Sequence, residues 1–146
     1  MSEYYTRNGW SGDKYEETKE LTTTEISALI RKEIKEKYDK GYKIGVRTEY
    51  FANGSAINIT VRELPFNPIN PEWNPIESQR TPKYTQEGLK LLDDLESIGS
   101  QYRMSDCDGM IDYFNTNFYL HVNYDWQKEA DWVKDAKKVI LKVEWD

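Results

Sequence analysis

Catalysis and metal binding need reactive side chains at short, defined spacings, and this 146-residue sequence offers few. The densest set is Asp106, Asp108 and Asp112 with Gly109, a spacing like the opening of a calcium loop. An EF-hand also needs further oxygen ligands and a distal bidentate Glu, and none stands at that position. The same residues suit a tight turn whose Asp side chains bond the backbone. We take that reading and expect no metal. Cys107 and His121 are the single Cys and the single His. A thiol and an imidazole make an activated nucleophile only within hydrogen-bond reach of each other. Nothing in the sequence brings them together, and His121 falls on the polar side of an alternating strand. There is no glycine-rich phosphate loop, zinc spacing or Ser-centred elbow. The expectation is a protein that is not an enzyme and has no cofactor.

Binding is then carried by charge and aromatics. Lysines and arginines number 20 against 26 acidic residues, a net charge of −6. That balance argues against broad nucleic-acid affinity, which needs phosphate neutralisation. It suits a basic protein partner. The charge is uneven. Residues 22–50 hold seven basic and five acidic side chains, whereas 81–112 hold three basic and seven acidic. Asp93, Asp94 and Glu96, with Glu87, make an acidic helix face proposed to meet a partner. Trp73 and Trp10 are the aromatic anchors expected beside it, since Tyr and Trp concentrate at interfaces. The alternative contact is nucleic acid, along Arg31, Lys32, Lys35 and Arg47 with Lys43. An α-β-β order loosely resembles the start of a double-stranded-RNA module, but that module's third strand should follow at once. A solvated, salt-paired helix face explains the same residues.

The elements that position these residues begin with a helix from Thr22. Thr22 and Glu25 have capping-box spacing, and Leu21 and Ile26 make the staple. Ile26, Leu29, Ile30, Ile34 and Tyr38 form its apolar stripe. Leu29 is read as a core residue. Glu33–Lys37 and Glu36–Lys40 are well-oriented i,i+4 pairs, and Gly41 sits where a left-handed C′ residue ends a helix. The period then changes to 2. Tyr42, Ile44, Val46, Thr48 and Tyr50 point one way, and Lys43, Gly45, Arg47 and Glu49 the other. Asn53-Gly54 marks a turn. A second strand follows, with Ile57, Ile59 and Val61 inward.

Residues 64–82 contain all five prolines, three of them in Asn-Pro pairs at Asn67, Asn70 and Asn74. Proline removes a backbone donor and biases its predecessor away from helix, so this is a long irregular connection. Its apolar members Leu64, Phe66, Ile69, Trp73 and Ile76 can pin it to the surface. Thr85 caps a second helix with the stripe Leu91, Leu92, Leu95, Ile98, and Gly99 is read as its stop. Ser105 to Gly109 is read as a loop, and Phe114–Tyr124 as one strand. Asp125 caps a third helix through Trp126, Ala130, Val133 and Ala136. The alternation of Val139, Leu141, Val143 and Trp145 reads as a final strand, with a continuous helix as the competitor.

The sum is an α+β domain: an antiparallel sheet with helices on one face, in the order α-β-β-α-β-α-β. Residues 1–20 form an N-terminal arm, with a possible turn at Asn8-Gly9, and 21–146 a single domain. One cysteine excludes an internal disulfide. Without a signal peptide or a long apolar run, the expected location is the cytoplasm, with no membrane contact.

Three stretches carry a family resemblance. Ile30-Arg31-Lys32-Glu33-Ile34-Lys35, Ile44-Gly45-Val46-Arg47-Thr48 and Asp108-Gly109-Met110-Ile111-Asp112 resemble the motifs of one of the large-polyvalent-protein-associated domains, the family numbered twenty-nine. The resemblance covers roughly residues 22–124. It implies a home on phages, plasmids and other mobile elements, and help for incoming DNA against host defences. It brings no catalytic residue. The resulting expectation is a phage or mobile-element protein that binds and blocks a host defence nuclease, as an anti-CRISPR inhibitor does. The alternative is a nucleic-acid-binding accessory of such an element.

Overall fold

Thr22 accepts from the Glu25 amide at 3.1 Å while the Glu25 carboxylate accepts from the Thr22 amide at 3.0 Å. This capping box starts helix α2, Thr23–Lys37. The computed structural model describes residues 10–77, 81–108 and 113–145. In chain order they form β1 (Trp10–Ser11), α1 (Tyr15–Thr18), α2, β2 (Lys43–Phe51), β3 (Gly54–Glu63), α3 (Gln86–Ser100), β4 (Met104–Asp108), β5 (Tyr113–Thr116), β6 (Tyr119–Tyr124) and α4 (Trp126–Trp145). The architecture is α+β. Among the described residues no helix is long and apolar enough to cross a membrane.

Among the described residues two three-stranded sheets form, in the orders β2-β3-β6 and β1-β4-β5. Strands β2 and β3 are antiparallel, but β6 lies parallel to β3, with Ile59 beside Val122. The expected all-antiparallel sheet is therefore mixed. Parallel neighbours need a long crossover, and the proline loop, α3 and the β4–β5 pair supply it. The Asn53-Gly54 turn is shifted by one residue. Phe51 pairs with Gly54, so Ala52 and Asn53 are the loop residues.

Helices α2 and α3 cover one face of the larger sheet, the one with the longer strands β2, β3 and β6. Ile26, Ile30 and Ile34 of α2 meet Ile57, Ile59 and Val61 of β3 and Leu91, Leu95 and Ile98 of α3 in one buried cluster. Leu29 departs from the expected stripe and is 37% exposed. Beside this cluster α2 also makes polar contacts with the sheet: buried Ser27 bonds Thr48, and Thr23 bonds Ser55. That rotates the helix so that Leu29 falls on the outer rim. Neither i,i+4 pair forms: Lys40 lies beyond the end of α2, and Glu33 and Lys37 take tertiary partners. Glu33 accepts from Lys14 at 3.3 Å and from Gln101 at 3.2 Å, and Lys37 reaches Asp94. Gly41 does have positive φ, at 85°. It serves an Asp39–Tyr42 turn after the helix has ended at Tyr38.

The proline loop is organised by its three Asn-Pro pairs. Asn67, Asn70 and Asn74 each accept from the amide two residues on, those of Ile69, Glu72 and Ile76. These are Asx turns, which need no donor from the intervening proline. Pro68 and Ile69 are buried, Ile69 bridges to Tyr84, and Ile76 stays 91% exposed. Asn67 also donates to the Trp132 carbonyl, tying the loop to α4.

Four further readings change. Residues 104–108 are strand β4, not a loop. The expected Phe114–Tyr124 strand is two strands in different sheets. The break is Asn117, whose side chain accepts from the Met104 amide and donates to the Tyr102 carbonyl. Its neighbour Phe118 drops into the core. The final strand is absent, because α4 runs continuously to Trp145. Asp125 caps it through the Gln127 and Lys128 amides. Its inner face is Glu129, Trp132, Val133 and Ala136, while Trp126 is 76% exposed. Gly99 is not a stop but a close approach: a Cβ there would lie 2.7 Å from a Leu120 methyl. Trp10 joins β4, so this part of the arm is tied down. Asn8-Gly9, Gly109 and Asp112 lie outside the described residues.

Replacing Ile30, fully buried, with Ala should cost about 2–5 kcal/mol as a large-to-small core change. Leu29→Ala should cost well under half of that. Urea unfolding of both variants checks the order, and equal losses would mean the helix is rotated otherwise.

Candidate functional site

The site grows from the junction of α2 and α3. Helix α3 presents Glu87, Lys90, Asp93, Asp94 and Ser97 beside Tyr38 and Tyr42, which follow α2. Phe66 from the proline loop completes a groove of about 580 Å³. The floor is aromatic, with Tyr38 and Tyr42 rings 4.9 Å apart. The rim carries the charges.

Those charges have two fates. Asp94 is consumed by the fold: Lys37 donates to it at 2.7 Å, and the Tyr38 hydroxyl donates to its other oxygen. Burial pushes the Asp94 carboxyl up, but the bonds from Lys37 and Tyr38, with the charges of Lys37 and Lys90, leave it below the ordinary range. Asp94 therefore answers the two groove lysines. Asp93 and Glu87 are exposed, and among the described residues neither is ion-paired.

Glu96 is exposed further along α3. Its charge acts on Arg103, whose guanidinium lies over the Trp10 ring at 5.5 Å from the centroid. Burial lowers the Arg103 pKa, and Glu96 works against that. Glu96 and Trp10 thus share a neighbourhood at the C-terminal end of α3, with Trp10 46% exposed. Trp73 is placed differently. It is half-buried under Lys83, 5.0 Å from its centroid, and Lys83 is held by Glu129 of α4. Neither tryptophan lines the groove. The aromatics beside the carboxylates are Tyr38, Tyr42 and Phe66. Sequence reasoning took Tyr38 and Phe66 only as packing residues, and their partial burial is why both roles coexist.

The basic residues also sort. Arg31 and Arg47 line one cleft at the edge of β2, together with Arg62, which the sequence did not single out. Lys32 and Lys35 are exposed on α2 and do not line it. Cys107 lies in β4 and His121 in β6, strands of different sheets. His121 is exposed. Asp106 and Asp108 belong to β4. Among the described residues no group of three or more His, Cys, Asp or Glu is arranged to hold a metal.

No family model matches this chain, and comparisons with curated proteins and with solved structures find no significant match.

Three phenols, those of buried Tyr124 and half-buried Tyr84 and Tyr38, are held above their ordinary value. Burial, then the hydrogen bond to Glu129, pushes the Tyr84 phenol up to about 12. Burial likewise raises Tyr124, and burial with the bond to Asp94 raises Tyr38. A phenol whose folded pKa exceeds its unfolded value stabilises the fold fully below the ordinary value of 10.0 and loses that contribution as pH rises. The melting temperature should therefore fall from pH 10 towards 12, and Tyr84→Phe should make the decline shallower. Asp94 works with the opposite sign. Its contribution is present above the ordinary 3.8 and lost as pH falls through its lower folded value, so Asp94→Asn should flatten the acid limb. Thermal melts across pH check both limbs.

Proposed function

We propose that this chain is a non-enzymatic binding protein of a phage or other mobile element, which docks on a basic surface of a host defence nuclease and blocks it. The observation that carries the reading is the groove beside α3, where unpaired Glu87 and Asp93 stand above Tyr38, Tyr42 and Phe66. A partner arginine entering there meets carboxylates at the rim and ring faces below. Guanidinium groups favour both environments. Nucleases that handle nucleic acid present such arginines, and an acidic face speeds encounter with them. Glu96 and the half-exposed Trp10 extend the contact along α3. The mobile-element setting, with action in the bacterial cytoplasm, rests on the three motifs that resemble the large-polyvalent-protein-associated domain.

The test uses bacterial strains that each carry one nuclease-based defence system against a common phage. Expression of the chain should restore plaques in at least one strain. Glu87→Lys with Asp93→Lys, on exposed positions, should keep the parent's melting temperature and lose the rescue. Rescue by the charge-reversed variant would remove the acidic groove from the mechanism. Absence of rescue in every strain would remove the anti-defence reading.

A further inference from the structure

A second surface lies on the opposite side of the larger sheet, away from α2 and α3. Alternation along β2 puts Val46, Thr48 and Tyr50 on the helix side and Gly45, Arg47, Glu49 and Phe51 on the open side. Across the sheet Arg47, Asn58 and His121 are in register, as are Gly45, Thr60 and Asn123. At the β2 edge of this face the guanidinium groups of Arg31, Arg47 and Arg62 line a cleft of about 490 Å³ whose lining contains no carboxylate. Among the described residues none of the three is ion-paired.

Three unpaired guanidinium groups sharing one cleft repel one another, and this happens in a chain of net charge −6. Two of them are held in place. Arg31 donates to the Val46 carbonyl at 2.7 Å. Arg62 lies across Gly45, where a Cβ would stand 3.5 Å from its Cζ. Pre-positioned guanidinium forks match phosphate oxygens. At the other end of the same face the Phe51 and Tyr119 rings stack 6.1 Å apart at 29°. Both are nearly half exposed, at 45% and 46%. Arg47 and Phe51 are four steps apart along the strand, about 13 Å. Asn58 and His121 lie level with Arg47 across the sheet, and between the two ends lie Glu49 and Ala56.

We propose that this open face binds single-stranded nucleic acid, with the arginine cleft holding backbone phosphates and Phe51 with Tyr119 stacking an unpaired base. Cationic grooves joined to exposed rings are how single strands are bound without strict sequence preference. A duplex keeps its bases stacked inside and cannot use the rings. The surface is separate from the α3 groove, so it does not depend on the reading given for that groove. Glu49, between Arg47 and Phe51 on this face, limits the affinity.

The experiment is fluorescence anisotropy with a labelled mixed-sequence single strand about 12 nucleotides long, as DNA and as RNA, over a range of salt. The full chain should bind at low salt. Arg47→Ala with Arg62→Ala should weaken binding about tenfold or more and make the salt dependence shallower, by about 0.7 in log–log slope for each phosphate that is no longer neutralised. Phe51→Ala with Tyr119→Ala should weaken it about fivefold or more with the slope unchanged. Glu49→Gln should tighten it. Glu87→Gln with Asp93→Asn should bind no more weakly than the parent, which separates this surface from the α3 groove. All variants should melt within a few degrees of the parent. No binding at low salt, or binding indifferent to the two arginines, would overturn the proposal. So would tighter binding of the matching duplex. Equal competition by polyglutamate would replace nucleic acid with an acidic protein as the occupant.

Discussion

Burial of one face of β3 is the constraint on which the rest of the structure depends. Ile57, Ile59 and Val61 are fully buried, as are Ile30 of α2 and Leu95 of α3 that close over them. Burying each such side chain is worth about 1.5–3 kcal/mol, so these contacts outweigh any single surface charge. They also dictate what the other face is. A strand's side chains alternate, so a register that buries Ile57 and Ile59 must present Asn58 and Thr60 outward. The open face and its arginines follow from the core.

Polar contacts then fix the helices relative to each other. Asp94 joins α3 to the end of α2 through Lys37 and Tyr38. Glu33 joins α2 to Lys14 before α1 and to Gln101 after α3. The sequence reads Glu33 as the helical partner of Lys37 and Asp94 as a partner-facing charge, whereas both link elements of the fold. The same logic governs the proline loop. Its Asx turns, the buried Pro68 and the Asn67 bond to Trp132 make it a connector between the sheet, α3 and α4. Gly88 lets it approach, since a Cβ there would lie 2.9 Å from Pro68. What remains for a partner is the set of side chains that the fold leaves unpaired.

That set divides into two surfaces of different character. Beside α3 the unpaired groups are Glu87 and Asp93 over a tyrosine-rich floor. On the open sheet face they are Arg47 and Arg62, joined at the β2 edge by Arg31 of α2, with a stacked ring pair at the other end. Each surface sits on regular elements whose cores are buried, which keeps its side chains pre-positioned and lowers the entropic cost of binding. The overall negative charge works in favour of the first and against the second, so the second must act through local geometry rather than long-range attraction.

The sequence by itself determined every feature whose cause is local. Thr22, Thr85 and Asp125 cap helices because a hydroxyl or carboxylate within three residues of free amides needs no distant partner. The helix–hairpin unit from Thr22 to Glu63 was legible for the same reason: its periods, 3.6 and then 2, are written in consecutive residues. The tertiary structure decided everything that depends on residues far apart. It turned Leu29 outward because Ser27 bonded Thr48. It laid β6 parallel to β3 because a long crossover intervened. It carried α4 through Val139 to Trp145, where alternation and helical spacing overlap over so short a run. It also decided the sites. Whether Asp94 faces a partner or Lys37, and whether Arg62 joins Arg31 and Arg47, are questions of pairing across tens of residues, and no local pattern encodes the answer.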